Sequence, residues 1–256
     1  MATTKNVQAL ERAFAILELM RNSKKGEMSL KEIADGTGLN KSTVFGLVNT
    51  MANMGYIQQN ESTQKYMLGL KLMSFSDPTM ERNFLVKVIH PHLEEISRRF
   101  NETAHCAVRS DYEVLYIDKV ESPDAPIHIN TQIGRTNYLH CTGVGKCVLA
   151  YAPDSVRDAF LSGFIPAITQ YTITNPDEIR AELENTRAQG YAEDTEEGMI
   201  GLYCLAVPVF DPAGNMICSI SISTIEKRMA LAKENGIVGT LKDAAASITK
   251  ELRAYV

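Results

Sequence analysis

Ser29-Leu30-Lys31-Glu32-Ile33-Ala34 and, three residues on, Gly38-Leu39-Asn40-Lys41-Ser42-Thr43-Val44 hold the pattern that decides the fold of the first part of the chain. Ser29 and Glu32 stand at the spacing of a capping box, in which a hydroxyl and a carboxylate three residues later satisfy each other's orphan backbone donors. A short helix therefore opens at Leu30 and runs through Asp35. Thr37-Gly38-Leu39 makes a tight turn, with a glycine free to take a positive φ. Asn40 is a good N-cap, and a third helix follows from Lys41 to about Asn53. In it Val44, Leu47, Val48 and Met51 recur at i, i+3, i+4 and i+7 and form the inward face. Lys41, Ser42, Thr43, Phe45, Gly46, Asn49 and Asn53 are left facing outward.

Upstream, Val7, Leu10, Phe14, Ile16 and Leu17 fall on a broad helical stripe that ends in the polar run from Arg21 to Gly26. Downstream, Tyr56–Gln59 and Gln64–Leu68, joined by Asn60-Glu61-Ser62-Thr63, read as a hairpin. Helix, helix, tight turn, helix, hairpin is a winged helix-turn-helix. Such a fold reads double-stranded DNA with short polar groups on base edges and donors on phosphates. The candidate set is Ser29, Lys41, Ser42, Thr43, Phe45 and Asn49, with Lys65 on the wing. Phe45 either packs on a thymine methyl or sugar or folds back on the first helix. Residues 1–75 carry a net charge of +3 and the remainder −8, which permits a nucleic-acid partner for the first part alone. A pseudo-palindromic operator needs two recognition helices about 34–36 Å apart, so a homodimer or tetramer is expected, with the first helix and the Pro78–Phe100 linker as contacts.

The chain has 256 residues, too many for one ordinary domain and comfortable for two. Hydrophobic residues make up 45% and charged residues 22%, which argues against disorder and against a disulfide-stapled miniature. No apolar run is long enough to span a bilayer, and Met1–Leu10 lacks the layout of a signal peptide. A cytosolic location without a membrane partner is expected. Cys106, Cys141, Cys147, Cys204 and Cys218 contain no C-x-x-C pair and read first as small buried hydrophobes. Neither a cofactor nor a metal is expected, because Cys204, His140 and Asp194 are ligand types at spacings that match no tight motif.

Three segments are expected: residues 1–76 as the DNA-binding domain, 77–100 as a linker helix and 101–256 as a second domain. Asp77-Pro78 starts the linker well, and Pro91 should kink or restart it near His90. Strands follow at Thr103–Arg109 and Val114–Val120, with a short one at Ile127–Asn130 and an apolar helix from Gly143 to Tyr151. A helix opening at Asn175-Pro176 ends at Gly190. Leu202–Phe210 and Met216–Ser223 pair around Asp211-Pro212-Ala213-Gly214, and a last helix spans roughly Val238 to Tyr255. This is an α+β sheet domain of the kind that senses small molecules. Gly143 and Val144 open their helix with backbone N–H groups able to meet an anion. Alternation puts Ser219, Ser221 and Ser223 on one sheet face and Cys218, Ile220 and Ile222 on the other, so the serines face either solvent or a polar pocket.

Val7–Ala13, Ser29–Ala34, Leu39–Val44, the wing end Tyr66-Met67-Leu68-Gly69, His140–Lys146, Gly190–Asp194, Gly201–Asp211 and Ile220–Ser223 occur in the order in which the IclR family of transcriptional regulators carries its motifs, and the chain resembles that family over nearly its whole length. The resemblance implies operator DNA bound through paired N-terminal domains and a GAF-like C-terminal domain that binds a small organic acid effector. It also implies a set of ligand contacts: Ser221, Ser223, Asp194 and Cys204, an apolar wall of Ile129 and Leu202, and Asn137 where the family often has an aliphatic residue. Gly46 stands where the family usually has an Arg, which removes a phosphate contact. The reading is a regulator rather than an enzyme. The alternatives are a redox sensor built on Cys204 and a small-molecule enzyme, either of which wants a His or Lys beside the thiol.

Overall fold

The computed structural model describes residues 7–23, 25–75, 84–123, 125 and 128–253. The chain divides into two compact units, Met1–Arg82 and Asn83–Val256. In the first, α1 (Gln8–Asn22), α2 (Leu30–Thr37) and α3 (Lys41–Asn53) precede a wing of β1 (Ile57–Gln59) and β2 (Tyr66–Leu68), followed by a 3-10 turn over Leu70–Phe75. Ser29 N donates to Glu32 Oε2 at 2.8 Å and Glu32 N to Ser29 Oγ at 3.3 Å, which completes the capping box. Gly38 closes α2 with φ 66°, a left-handed conformation that only glycine adopts freely. Asn40 sits at the N-cap of α3 as expected, but its side chain makes no capping bond. The wing pairs Ile57 with Leu68 and Gln59 with Tyr66. Ile16, Met20, Ile33, Val44, Val48, Met51, Ile57 and Tyr66 form the core of this unit.

The stripe expected on α1 divides. Ile16 turns inward, whereas Leu10 and Phe14 lie on the surface, with Phe14 63% exposed. They border an apolar groove of about 640 Å³ with Leu47, Met54, Tyr56 and Phe75.

The second unit is built on a six-stranded antiparallel sheet. Its strands are β3 (Thr103–Ser110), β4 (Glu113–Val120), β5 (Thr136–Tyr138), β6 (Ala192–Thr195), β7 (Tyr203–Phe210) and β8 (Met216–Thr224), in the order β5-β4-β3-β8-β7-β6. Its helices are α4 (Phe84–Phe100), α5 (Gly143–Ala150), α6 (Asp154–Leu161), α7 (Pro176–Gln189), α8 (Glu226–Glu234) and α9 (Ile237–Arg253). One sheet face packs under α4 and α9, where Leu93, Ile96, Leu241 and Ile248 meet Cys106, Leu205, Ile220 and Ile222. On the other face Val144, Cys147 and Val148 of α5 lie over Ala107, Tyr116 and Ala206. Alternation along β8 thus gives one apolar face and one row of serines, and both rows are buried.

Several expectations need correction. The short strand at Ile127–Asn130 is absent over residues 128–130, and the edge strand is Thr136–Tyr138. The helix runs through Pro91 without restarting. Its expected start at Asp77-Pro78 lies outside the described residues. From Phe84 onward the segment expected as a linker contributes Val88, Ile89, Leu93 and Ile96 to the core of the second unit. Helices α6 and α8 and strand β6 have no counterpart among the sequence expectations. No helix among the described residues is long and apolar enough to cross a membrane.

Candidate functional site

On α3 the buried positions are Val44, Val48 and Met51. Lys41, Ser42 and Phe45 are exposed, and Thr43 and Asn49 are half-buried on the same outward side. Phe45 is 50% exposed and takes no part in the core around α1, so it is available to a partner rather than folded back. A Cβ on Gly46 would meet nothing within 4 Å. Lys65 Nζ lies 3.7 Å from Glu27 Oε1 and stays partly exposed. The Ser29 hydroxyl is engaged within its capping box, where it also donates to Glu32 Oε2 at 2.9 Å.

In the second unit the first turn of α5 lies on the sheet, and this contact makes a cavity. A Cβ on Gly143 would come within 3.3 Å of Ala206 Cβ and 3.4 Å of Cys204 Cβ, and one on Gly145 would come within 2.6 Å of the Leu139 and Tyr138 carbonyl oxygens. Glycine at both positions lets backbone approach backbone. Thr142 caps the helix, its Oγ1 accepting from Gly145 N at 3.0 Å. Lys146 N bonds the Thr142 carbonyl, which leaves the amides of Gly143 and Val144 as helix-start donors with no partner among the described residues.

These amides border a cavity of about 150 Å³, the volume of roughly five liquid waters. Ile129, Asn137, Gly143, Val144, Asp194, Leu202, Cys204, Ser221 and Ser223, distant from one another along the chain, all line it. Ser223 Oγ donates to Cys204 Sγ at 3.1 Å. Sequence reasoning missed Tyr116, the loop residues Gln132 and Arg135, and Gly198-Met199, which also line the cavity. Arg135 is the one Lys or Arg between Lys119 and Lys146.

Asp194 is 1% exposed. Its Oδ1 accepts from Glu197 N at 2.9 Å and Gly198 N at 3.3 Å. Burial, followed by the charge of Glu197, pushes its carboxyl up to about 7. The nearest buried cation, Lys146, is already committed: it pairs closely with Glu197, reaches Glu182 Oε1 at 3.3 Å and donates to the Glu193 carbonyl at 2.8 Å. Burial raises the Cys204 thiol well above its ordinary value, and Asp194 raises it further. His140 Nε2 is occupied by the Pro166 carbonyl at 3.0 Å, and the His105 ring is buried against Tyr116. Cys204 is therefore a neutral thiol whose side-chain partners are Ser223 and Asp194, with neither His140 nor His105 bonded to it.

The two units match two family models. Residues 9–61 match the IclR helix-turn-helix domain, and residues 78–250 match the bacterial transcriptional regulator IclR C-terminal domain. The HTH-type transcriptional regulator XynR of Escherichia coli (strain K12) is 32% identical over 247 residues, which cover 96% of this chain and 97% of that protein. The crystal structure of the Thermotoga maritima IclR protein superposes with a TM-score of 0.70 at 30% identity, over 96% of this chain and 99% of that one. An IclR homologue from Microbacterium hydrocarbonoxydans, complexed with 4-hydroxybenzoate, shares the fold with a TM-score of 0.77 at 24% identity, over 96% of this chain and 100% of that one. The chain belongs to the IclR family of DNA-binding transcriptional regulators.

Proposed function

We propose that the chain binds operator DNA through α3 and its wing and that a small organic acid seated in the cavity beneath α5 modulates this binding. One observation carries the reading. Two helix-start amides with no partner among the described residues, Gly143 and Val144, border a small cavity together with the hydroxyls of Ser221 and of Ser223, the latter once turned from Cys204 Sγ, a donor set suited to a carboxylate. Ile129 and Leu202 supply its apolar wall, and Asn137 adds a hydrogen-bonding group for a second polar atom of the ligand. The complex of the Microbacterium homologue with 4-hydroxybenzoate, itself an organic acid, supports the ligand class.

On the DNA side Lys41 and Lys65 contact phosphates, while Ser42, Thr43 and Asn49 face base edges and Phe45 offers an apolar contact. A second copy of the chain covers the groove along Leu10 and Phe14, since a symmetric operator needs two recognition helices and this face is otherwise apolar surface in water. The test is an electrophoretic titration of the DNA upstream of the protein's own gene, at low salt, with and without a panel of 2-oxo, 2-hydroxy and aromatic acids. Binding that one acid shifts supports the reading. No binding under any of these conditions refutes it.

A further inference from the structure

Asp194 lines the proposed effector cavity, with one oxygen holding two backbone amides and the carboxyl in contact with the Cys204 thiol. Oδ1 holds the Glu197 and Gly198 amides, and an ideal Cβ on Gly198 would lie 3.5 Å from Oδ2. Its cross-strand partner is Cys204, and Cys204 in turn touches the Gly143 end of α5. A carboxylate held at Gly143 and Val144 is therefore a close neighbour of Asp194, and two anions side by side next to a buried carboxyl do not both stay charged.

The buried surrounding groups offer little compensation. From α5, Lys146 is spent on Glu197, Glu182 and the Glu193 carbonyl. From the loop after β6, Glu197 is a second acid and repels further charge. From β4, β7 and the turn before α5, Tyr116, Cys204 and Cys141 are neutral, each shifted upward chiefly by burial. His105 and His140 are shifted downward by burial and carry no charge at neutral pH. Arg135 stands in the lining on an exposed loop, where its Nε donates to Gln132 Oε1 at 3.4 Å.

We propose, resting on the effector reading above, that Asp194 is the residue that sets which acids enter: it admits a monocarboxylate only together with a proton, and the two carboxyl groups share that hydrogen in one O–H···O bond. The proton comes from solvent, so one carboxylate and one proton are taken up together.

Calorimetric titration of the full-length protein with pyruvate, lactate and 4-hydroxybenzoate tests this, in buffers of different ionisation enthalpy at pH 6 and pH 8. The expected result for whichever acid binds is an uptake close to one proton per site at pH 8 and clearly less at pH 6, with affinity falling by up to about tenfold per pH unit above neutrality. Asp194→Asn keeps the acceptor for the two amides and places an N–H donor toward the acid. This variant should be folded by circular dichroism and should bind with no proton uptake and with the same affinity at both pH values. Binding by the parent without uptake at pH 8 overturns the inference and leaves the effector reading standing, as would be the case if an ionised Asp194 accepted a hydrogen bond from the lactate hydroxyl. Uptake that persists in Asp194→Asn also overturns it, by moving the proton to Glu197, and so does loss of binding in the folded variant. No binding of any acid removes the effector reading itself.

Discussion

Replacing Lys146 with Met removes a charge without removing much volume, and the consequences follow from what surrounds it. Lys146 is 2% exposed and Glu197 4% exposed, so the substitution leaves a carboxylate buried with no cation, the situation in which deleting one partner of an ion pair costs about 3–5 kcal/mol. Glu182 is more exposed and is rehydrated cheaply, so it adds little to that figure. The sign of the pH dependence also follows. Burial already raises the Glu197 carboxyl, opposed by Lys146; without Lys146 it rises further above its unfolded value. The folded variant then binds a proton that the unfolded chain does not hold until lower pH, so its stability recovers as pH falls toward the unfolded value. The recovery is up to about 1.4 kcal/mol per pH unit through that window. Asp194 titrates with the same sign in the parent, and the quantity to compare is therefore the difference between the two proteins. Urea denaturation followed by circular dichroism at pH 7.5 and pH 5.5 should show a gap of several kcal/mol that narrows at the lower pH. A gap below about 1 kcal/mol, or one independent of pH, refutes the argument.

Further outcomes follow from the DNA-binding unit. Lys41→Ala should weaken binding across all sequences and lower the salt slope by about one per subunit. Gly46→Arg, which enters open space, should raise that slope by a similar amount; unchanged slopes in a fluorescence titration remove both residues from the phosphate contacts. Phe14→Asp should turn an assembly into a monomer at micromolar concentration by light scattering, and an unaltered mass would show that the α1 groove is not the interface.

Much of the first unit was legible because its signals are local. Ser29 and Glu32 lie one helical turn apart, Gly38 marks its own turn, and the apolar spacing of α3 is complete within thirteen residues. The exposure of Leu10 and Phe14 is not legible, since a helical stripe reports an apolar face and not what covers it. In the second unit the hairpin of β7 and β8 follows from Asp211-Pro212-Ala213-Gly214, whose Asp211 Oδ1 accepts from Asn215 N at 2.8 Å. The cavity is another matter. Alternation in β8 separates Ser221 and Ser223 from Ile220 and Ile222, yet it does not say which row meets α5, because that depends on the pairing of β3 with β8 and β6 with β7 across the chain. Ile129 falls within the expected short strand Ile127–Asn130. It sits instead in a loop held by Lys119 Nζ donating to its carbonyl at 2.6 Å, a contact with no local signature.

The account rests on the coupling of the serine-lined cavity to DNA binding, and one titration addresses it directly. Labelled upstream DNA is titrated with the parent and with the Ser221→Ala, Ser223→Ala double variant, across a series of concentrations of the acid that shifts the parent. Each lost hydroxyl donor to a charged ligand costs about 1.5–3 kcal/mol, roughly ten- to a hundredfold in affinity. The variant should bind DNA as the parent does without acid and should require at least tenfold more acid to respond. Equal response of the two proteins at the same acid concentration would contradict the assignment of the effector to this cavity.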